Sequence, residues 1–168
     1  MWKRDVRSQR SVARSQRSGK NRELIMGISA LNKIAEINPI VFPVHPRTAK
    51  MLKRYDCSLS DKIYQLPPLG FQESLYFWKD AEAVITDSDG IQEETTALGI
   101  PCLTIRENTE RPVTVWEGTN TLVEIDKIEC EVEEILKDNG KKGKVPDLWD
   151  GNAAGRIVRV LSDEMMRW

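Results

Sequence analysis

Apolar residues recur at helical spacing through Leu24, Ile25, Ile28, Leu31, Ile34 and Ala35, which predicts an amphipathic helix over about 22–37, stopped at Asn38-Pro39. The pattern then changes period. Ile40-Val41-Phe42-Pro43-Val44 is a short apolar run that reads as a strand. The next segment, 46–56, opens on Pro46 and carries Ala49, Met51, Leu52 and Tyr55 as a second helix. A strand at Lys62–Leu66 and a short helix around 73–80 follow. Beyond them come a strand at Ala83–Thr86, a helix over 90–98 closed by Gly99, and a strand at Pro101–Ile105. Thr121-Leu122-Val123 reads as a further strand, 127–138 as a helix, 139–143 as a loop, and 153–166 as a last helix with Ile157, Val160 and Leu161 on one face.

Strands that are continuous apolar runs, separated by single helices, predict a parallel sheet covered on both faces, a doubly wound α/β domain. Ligands in such domains sit beyond the carboxyl ends of the strands, where helix N-termini present free N–H groups. Four polar clusters fall at that edge: His45-Pro46-Arg47-Thr48, Pro68-Leu69-Gly70-Phe71, Asp87-Ser88-Asp89-Gly90, and Arg106 to Arg111.

Ser88 and Gly90 lie where the chain leaves Thr86 and enters a helix, so their small side chains allow an anion such as a phosphate to approach the free amides. A plain capping reading competes: Asp89 as N-cap, with Gln92 completing an Asp-x-x-Gln box. Glu94 lies three residues after Ile91 and four before Leu98 and is expected on the inward stripe, where a carboxylate needs donors such as the two hydroxyls of a sugar diol, or a neighbouring base. Arg111 and Arg47 offer planar forks of donors suited to a diphosphate, and His45 a donor at a strand end. Each also reads as an ordinary surface or structural residue.

Charge divides the chain. Residues 1–22 hold eight Lys or Arg against one acid, Asp5, while the remainder holds 17 bases against 25 acids. Residues 1–21, with Arg-Ser-Gln-Arg-Ser at 7–11 and again at 14–18, are expected to form a basic leader, disordered or marginally helical, separate from a domain over 22–168. Nucleic-acid binding by this leader is disfavoured, because aromatic interleaving stops at Trp2 and the body is acidic. No apolar run approaches the length of a membrane span. Three dispersed cysteines and a single histidine argue against a disulfide framework and against two-histidine metal motifs, and point to the cytoplasm. Gly-x-Gly-x-x-Gly and Walker-type runs are absent from the sequence.

The run Thr86-Asp87-Ser88-Asp89-Gly90-Ile91-Gln92-Glu93-Glu94, then Leu98-Gly99-Ile100-Pro101, Arg106-Glu107-Asn108-Thr109-Glu110-Arg111-Pro112 and Gly118-Thr119-Asn120, resembles the non-hydrolysing UDP-N-acetylglucosamine 2-epimerases. Pro43-Val44-His45-Pro46 and Asp150-Gly151-Asn152-Ala153-Ala154 extend the resemblance, which covers about 22–165 and corresponds to the C-terminal, Rossmann-like half of a glycosyltransferase-B-like two-domain fold. It implies that Ser88, Asp89 and Gly90 contact the diphosphate of UDP or a UDP-N-acetylhexosamine. It also implies that Glu94 takes the ribose hydroxyls, that Phe71 lies beside the uracil, and that His45 and Arg111 line the cleft. The implied activity is interconversion of UDP-N-acetylglucosamine and UDP-N-acetylmannosamine for polysaccharide biosynthesis, by elimination and re-addition of UDP, with no metal or redox cofactor.

Two departures stand out. Asp89 occupies a position where the family usually has Gly, which sets a carboxylate toward the diphosphate. The family's opening strand, with a His-Arg motif bearing a catalytic histidine, is replaced by the Arg-Ser-Gln repeats, and its catalytic acids lie in the N-terminal half. No catalytic residue carries over. The expectation is therefore a truncated or misframed product, or a half-enzyme needing a separate N-terminal half, inactive alone and a homo-oligomer when complete. The nucleotide-binding half of a glycosyltransferase and a non-catalytic UDP-binding protein are the alternatives.

Overall fold

The computed structural model describes the backbone of residues 6–167 and, from Arg22, the side chains; the expected leader, as far as it concerns residues 1–5 and the side chains before Arg22, lies outside the described residues. The elements are α1 (Val6–Ile37), β1 (Ile40–Pro43), α2 (Pro46–Arg54), β2 (Ile63–Leu66), α3 (Phe71–Trp78), β3 (Val84–Thr86), α4 (Asp89–Leu98), β4 (Cys102–Thr104), α5 (Pro112–Trp116), β5 (Asn120–Leu122), α6 (Ile128–Leu136) and α7 (Ala153–Met165), with a 3-10 turn at Ile125–Lys127. The chain divides into two compact units, one comprising Met1–Glu73 with Ile125–Val132, the other Ser74–Glu124 with Glu133–Trp168.

All strand pairing is parallel, as the alternation of strand and helix predicts. In the first unit β1 pairs with β2, Ile40 opposite Ile63 and Pro43 opposite Leu66. In the second, β4 lies between β3 and β5, with Cys102 opposite both Val84 and Asn120. The described strands thus form a sheet of two and a sheet of three rather than one continuous sheet.

The first unit is built on aliphatic packing. Ile28 of α1, Val44 and Leu52 of α2 form its buried cluster, with Leu24, Leu31, Phe42, Ala49, Cys57 and Leu59 packed around them. The hydrophobic effect holds this unit, at about 1.5–3 kcal/mol for each large side chain fully withdrawn from water. α1 stops at Asn38, whose N–H still reaches the Ile34 carbonyl at 2.9 Å before Pro39 breaks the ladder.

The second unit has a different interior. Cys102, Leu103, Val84 and Val123 are buried, but so are Thr86, Gln92, Thr95, Thr96, Thr104, Thr114, Thr119 and Asn120. The inward face of α4 is Gln92, Thr95 and Thr96, whereas Leu98 is 41% exposed. This corrects the expected stripe through Ile91, Glu94 and Leu98: the helix packs on hydrogen-bonding groups of β4, β5 and the loop before α5, so its polar residues turn inward. Gly99 ends α4 in the left-handed conformation (φ 74°), which favours glycine. At Gly118 a side chain has no room, since a Cβ there would lie 2.6 Å from both the Thr114 carbonyl oxygen and Thr96 Oγ1. α5, five residues long, was not foreseen, although Pro112 marks its first position.

The three cysteines are free, and burial pushes the Cys102 thiol up. Among the described residues no helix is long and apolar enough to cross a membrane.

Candidate functional site

β3 delivers the chain to α4 through Thr86-Asp87-Ser88. The Ser88 N–H donates to Thr86 Oγ1 at 3.0 Å, fixing the turn, and Ser88 is the N-cap, extended at φ −91° and ψ 136°. Its hydroxyl makes no capping bond, so the N–H groups of the first turn keep no side-chain acceptor and face the positive end of the helix dipole. Asp89 is the first helical residue rather than the N-cap, which corrects the expected capping box. Gly90 is exposed, and a Cβ built on it meets nothing within 4 Å, so the approach to the turn is open.

Asp89 and Gln92 do make contact, but in another arrangement. Gln92 Nε2 donates to Asp89 Oδ1 and to the Ser88 carbonyl, each at 3.3 Å. Its Oε1 accepts from Thr109 Oγ1 at 2.6 Å and from Asn120 Nδ2 at 2.9 Å. Asn120 Nδ2 also donates to Thr114 Oγ1 at 3.2 Å, and its Oδ1 accepts from Thr104 Oγ1 at 2.7 Å. The Arg111 N–H donates to Thr109 Oγ1 at 3.0 Å, and Thr114 Oγ1 to the Arg111 carbonyl at 2.7 Å. Buried polar groups are costly unless paired, so this network fixes the loop from Arg106 to Arg111 against the start of α4.

That loop brings two guanidinium groups to the site. Arg106 Nη1 lies 2.7 Å from Asp89 Oδ1, and Arg111 Nε lies 3.4 Å from Glu93 Oε2. Glu94, one turn along α4 from Gly90, is half-buried and makes no hydrogen bond or ion pair among the described residues. Partial burial, with the Glu93 charge beside it, raises its pKa above the ordinary 4.5. A half-desolvated carboxylate without donors is suited to accept from two hydroxyls.

Of the seven residues expected to bind substrate, Ser88, Asp89, Gly90, Glu94 and Arg111 belong to the second unit, where the structure brings them together around the start of α4. His45 and Phe71 belong to the first. His45 is the N-cap of α2, its Nδ1 accepting from the Arg47 N–H at 3.2 Å. Arg47 joins Lys50, Met51, Arg54 and Pro46 around a shallow depression of about 370 Å³ on α2. Phe71 opens α3 and is 62% exposed. Asp150-Gly151-Asn152 serves the start of α7: the Asn152 N–H and the Arg156 guanidinium hold the Asp150 carboxyl at about 2.

A parallel α/β domain with an uncapped helix N-terminus, two arginines and an unpartnered carboxylate at the strand ends has the features with which such domains receive anionic ligands. The sequence profile described as UDP-N-acetylglucosamine 2-epimerase matches residues 12–162, and the chain belongs to that family. It is 38% identical over 146 residues to the UDP-N-acetylglucosamine 2-epimerase of Methanocaldococcus jannaschii, a match covering 84% of this chain and 39% of that protein. The structure of UDP-GlcNAc 2-epimerase from M. jannaschii superposes with a TM-score of 0.72 at 36% identity, over 84% of this chain and 41% of the other. The M. jannaschii enzyme in complex with UDP-GlcNAc and UDP gives a TM-score of 0.66 at 38% identity, over 84% of this chain and 40% of that one. The chain therefore spans about 40% of the length of the relatives it matches.

Proposed function

We propose that this chain holds the UDP moiety of a nucleotide sugar, with the diphosphate at the first turn of α4. The observation that carries the reading is Glu94, a half-buried carboxylate without a hydrogen-bonding partner, one turn from an uncapped and open helix N-terminus. Phosphate oxygens accept from the N–H groups around Ser88, Asp89 and Gly90, where the helix dipole favours negative charge. Arg111, whose backbone is held by Thr109 and Thr114, exchanges Glu93 for the second phosphate, and Glu94 accepts from the two ribose hydroxyls.

The activity proposed for the whole protein is epimerisation of UDP-N-acetylglucosamine at C2, in the cytoplasm, by a homo-oligomer in which this domain supplies binding and a separate N-terminal half supplies the catalytic groups. A match to a relative solved with UDP-GlcNAc and UDP supports the substrate class. The 168-residue chain alone is expected to show no exchange of the C2 proton in deuterated water. Calorimetric titration tests the binding itself. UDP is expected to saturate the wild type, and Glu94→Ala to weaken it by about tenfold, the loss of charge-assisted hydrogen bonds at about 1.5 kcal/mol. Unchanged affinity in Glu94→Ala would overturn the assignment of the ribose.

A further inference from the structure

We infer that Arg106 is the counter-ion that makes this site usable despite Asp89: it shields that carboxylate and does not itself bind the nucleotide. The inference rests on the reading that a diphosphate sits at the first turn of α4. Asp89 is the first residue of that helix, so its charge lies in the same turn as the N–H groups that would take the phosphate. A bare carboxylate there opposes a nucleoside diphosphate directly.

The geometry counters it. Arg106 Nη1 donates to Asp89 Oδ1 at 2.7 Å, and Gln92 Nε2 donates to the same oxygen at 3.3 Å. Gln92 is itself completely buried, its Oε1 held by Thr109 and Asn120, so one of the two donors to the carboxylate is fixed by the interior. Arg106 is also anchored: it follows Ile105, whose N–H reaches the Thr86 carbonyl at 2.9 Å and ties the loop to the end of β3. The pair is neutral as a unit, as is Arg111 with Glu93 at 3.4 Å, so the helix dipole favours an anion at the first turn. Asp89 and Arg106 are each about a third exposed, so the compensation is a local electrostatic one that salt weakens.

Shielding and direct contact make different predictions in a double-mutant cycle. UDP is titrated calorimetrically at low salt into the wild type, Arg106→Gln, Arg106→Lys, Asp89→Asn and the Asp89→Asn/Arg106→Gln double variant, with circular dichroism confirming that each is folded. For a unit charge a few ångströms from the phosphate near a protein surface, Arg106→Gln is expected to weaken UDP about five- to tenfold in the wild-type background. The Asp89→Asn/Arg106→Gln double variant, in which a neutral ion pair becomes two neutral amides, is expected to bind within about twofold of the wild type, because the two opposite charges acting on the phosphate are removed together. Arg106→Lys keeps the charge and should retain most of the affinity. A double variant that binds about fivefold or more weakly than the wild type would mean that Arg106 touches the nucleotide, and would overturn the inference while leaving the UDP reading intact. No loss in Arg106→Gln would overturn it as well. Failure of every variant and of the wild type to bind UDP would overturn the nucleotide reading and this inference with it.

Discussion

Around α2 the chain is held by Ile28, Val44 and Leu52, aliphatic side chains that fill space and carry no directional demand, whereas around α4 the buried positions include Gln92, Thr95, Thr104, Thr114 and Asn120, whose value lies in hydrogen bonds. The first kind of interior tolerates any neighbour of the right volume. The second demands particular partners, since a buried donor or acceptor left unpaired forfeits about 1–3 kcal/mol. Rigidity of the polar kind lies where two arginines and a helix start keep their places. The aliphatic kind serves where a strand and a helix need only be packed.

The comparison can be broken most forcefully at Asn120. Asn120→Leu keeps roughly the volume but strands the Thr104 hydroxyl and removes donors from Gln92 and Thr114, and should cost about 2–4 kcal/mol in urea denaturation. The volume-conserving swap in the other region, Leu52→Met, should cost less than about 1.5 kcal/mol. Similar losses for the two would mean that the interior around α4 is no more exacting than that around α2.

A smaller effect comes from Glu94. Its pKa is raised in the fold by partial burial and the Glu93 charge, so the fold holds the proton more tightly than the unfolded chain does. Its contribution to stability is complete below the ordinary value of 4.5 and is lost as the pH rises through the raised value. Glu94→Gln should therefore be slightly more stable than the wild type at pH 7, with the advantage vanishing near pH 4. A difference that does not depend on pH would show that the carboxylate is not desolvated.

These two regions also differ in how much of them is legible in the sequence. Helical spacing marked the end of α1, the period change marked β1, and Gly99 marked the stop of α4, because each is a local consequence of residue type. The five candidate residues around α4 were found through their place at the strand ends and the resemblance of the run from Thr86 to Glu94. The arrangement of Asp89 and Gln92 was not. A capping box is a pattern within four residues, whereas Gln92 here answers to Thr109 and Asn120, 17 and 28 positions away. Threonine, asparagine and glutamine read as surface residues until their partners are known. α5 escaped because five residues are too few to show a period, although Pro112 and the hydroxyl of Thr114 were its available signals. The unpaired state of Glu94 is likewise a fact about distances.

The proposed binding of UDP at the first turn of α4 can be followed in the backbone amide resonances of the isotopically labelled 168-residue chain as UDP is added. Saturable shifts concentrated at Ser88–Ile91, Glu94 and Thr109–Arg111 are predicted, with their midpoint moved to about tenfold higher nucleotide concentration in Glu94→Ala. Saturable shifts centred elsewhere, or no saturation in the wild type, would contradict it.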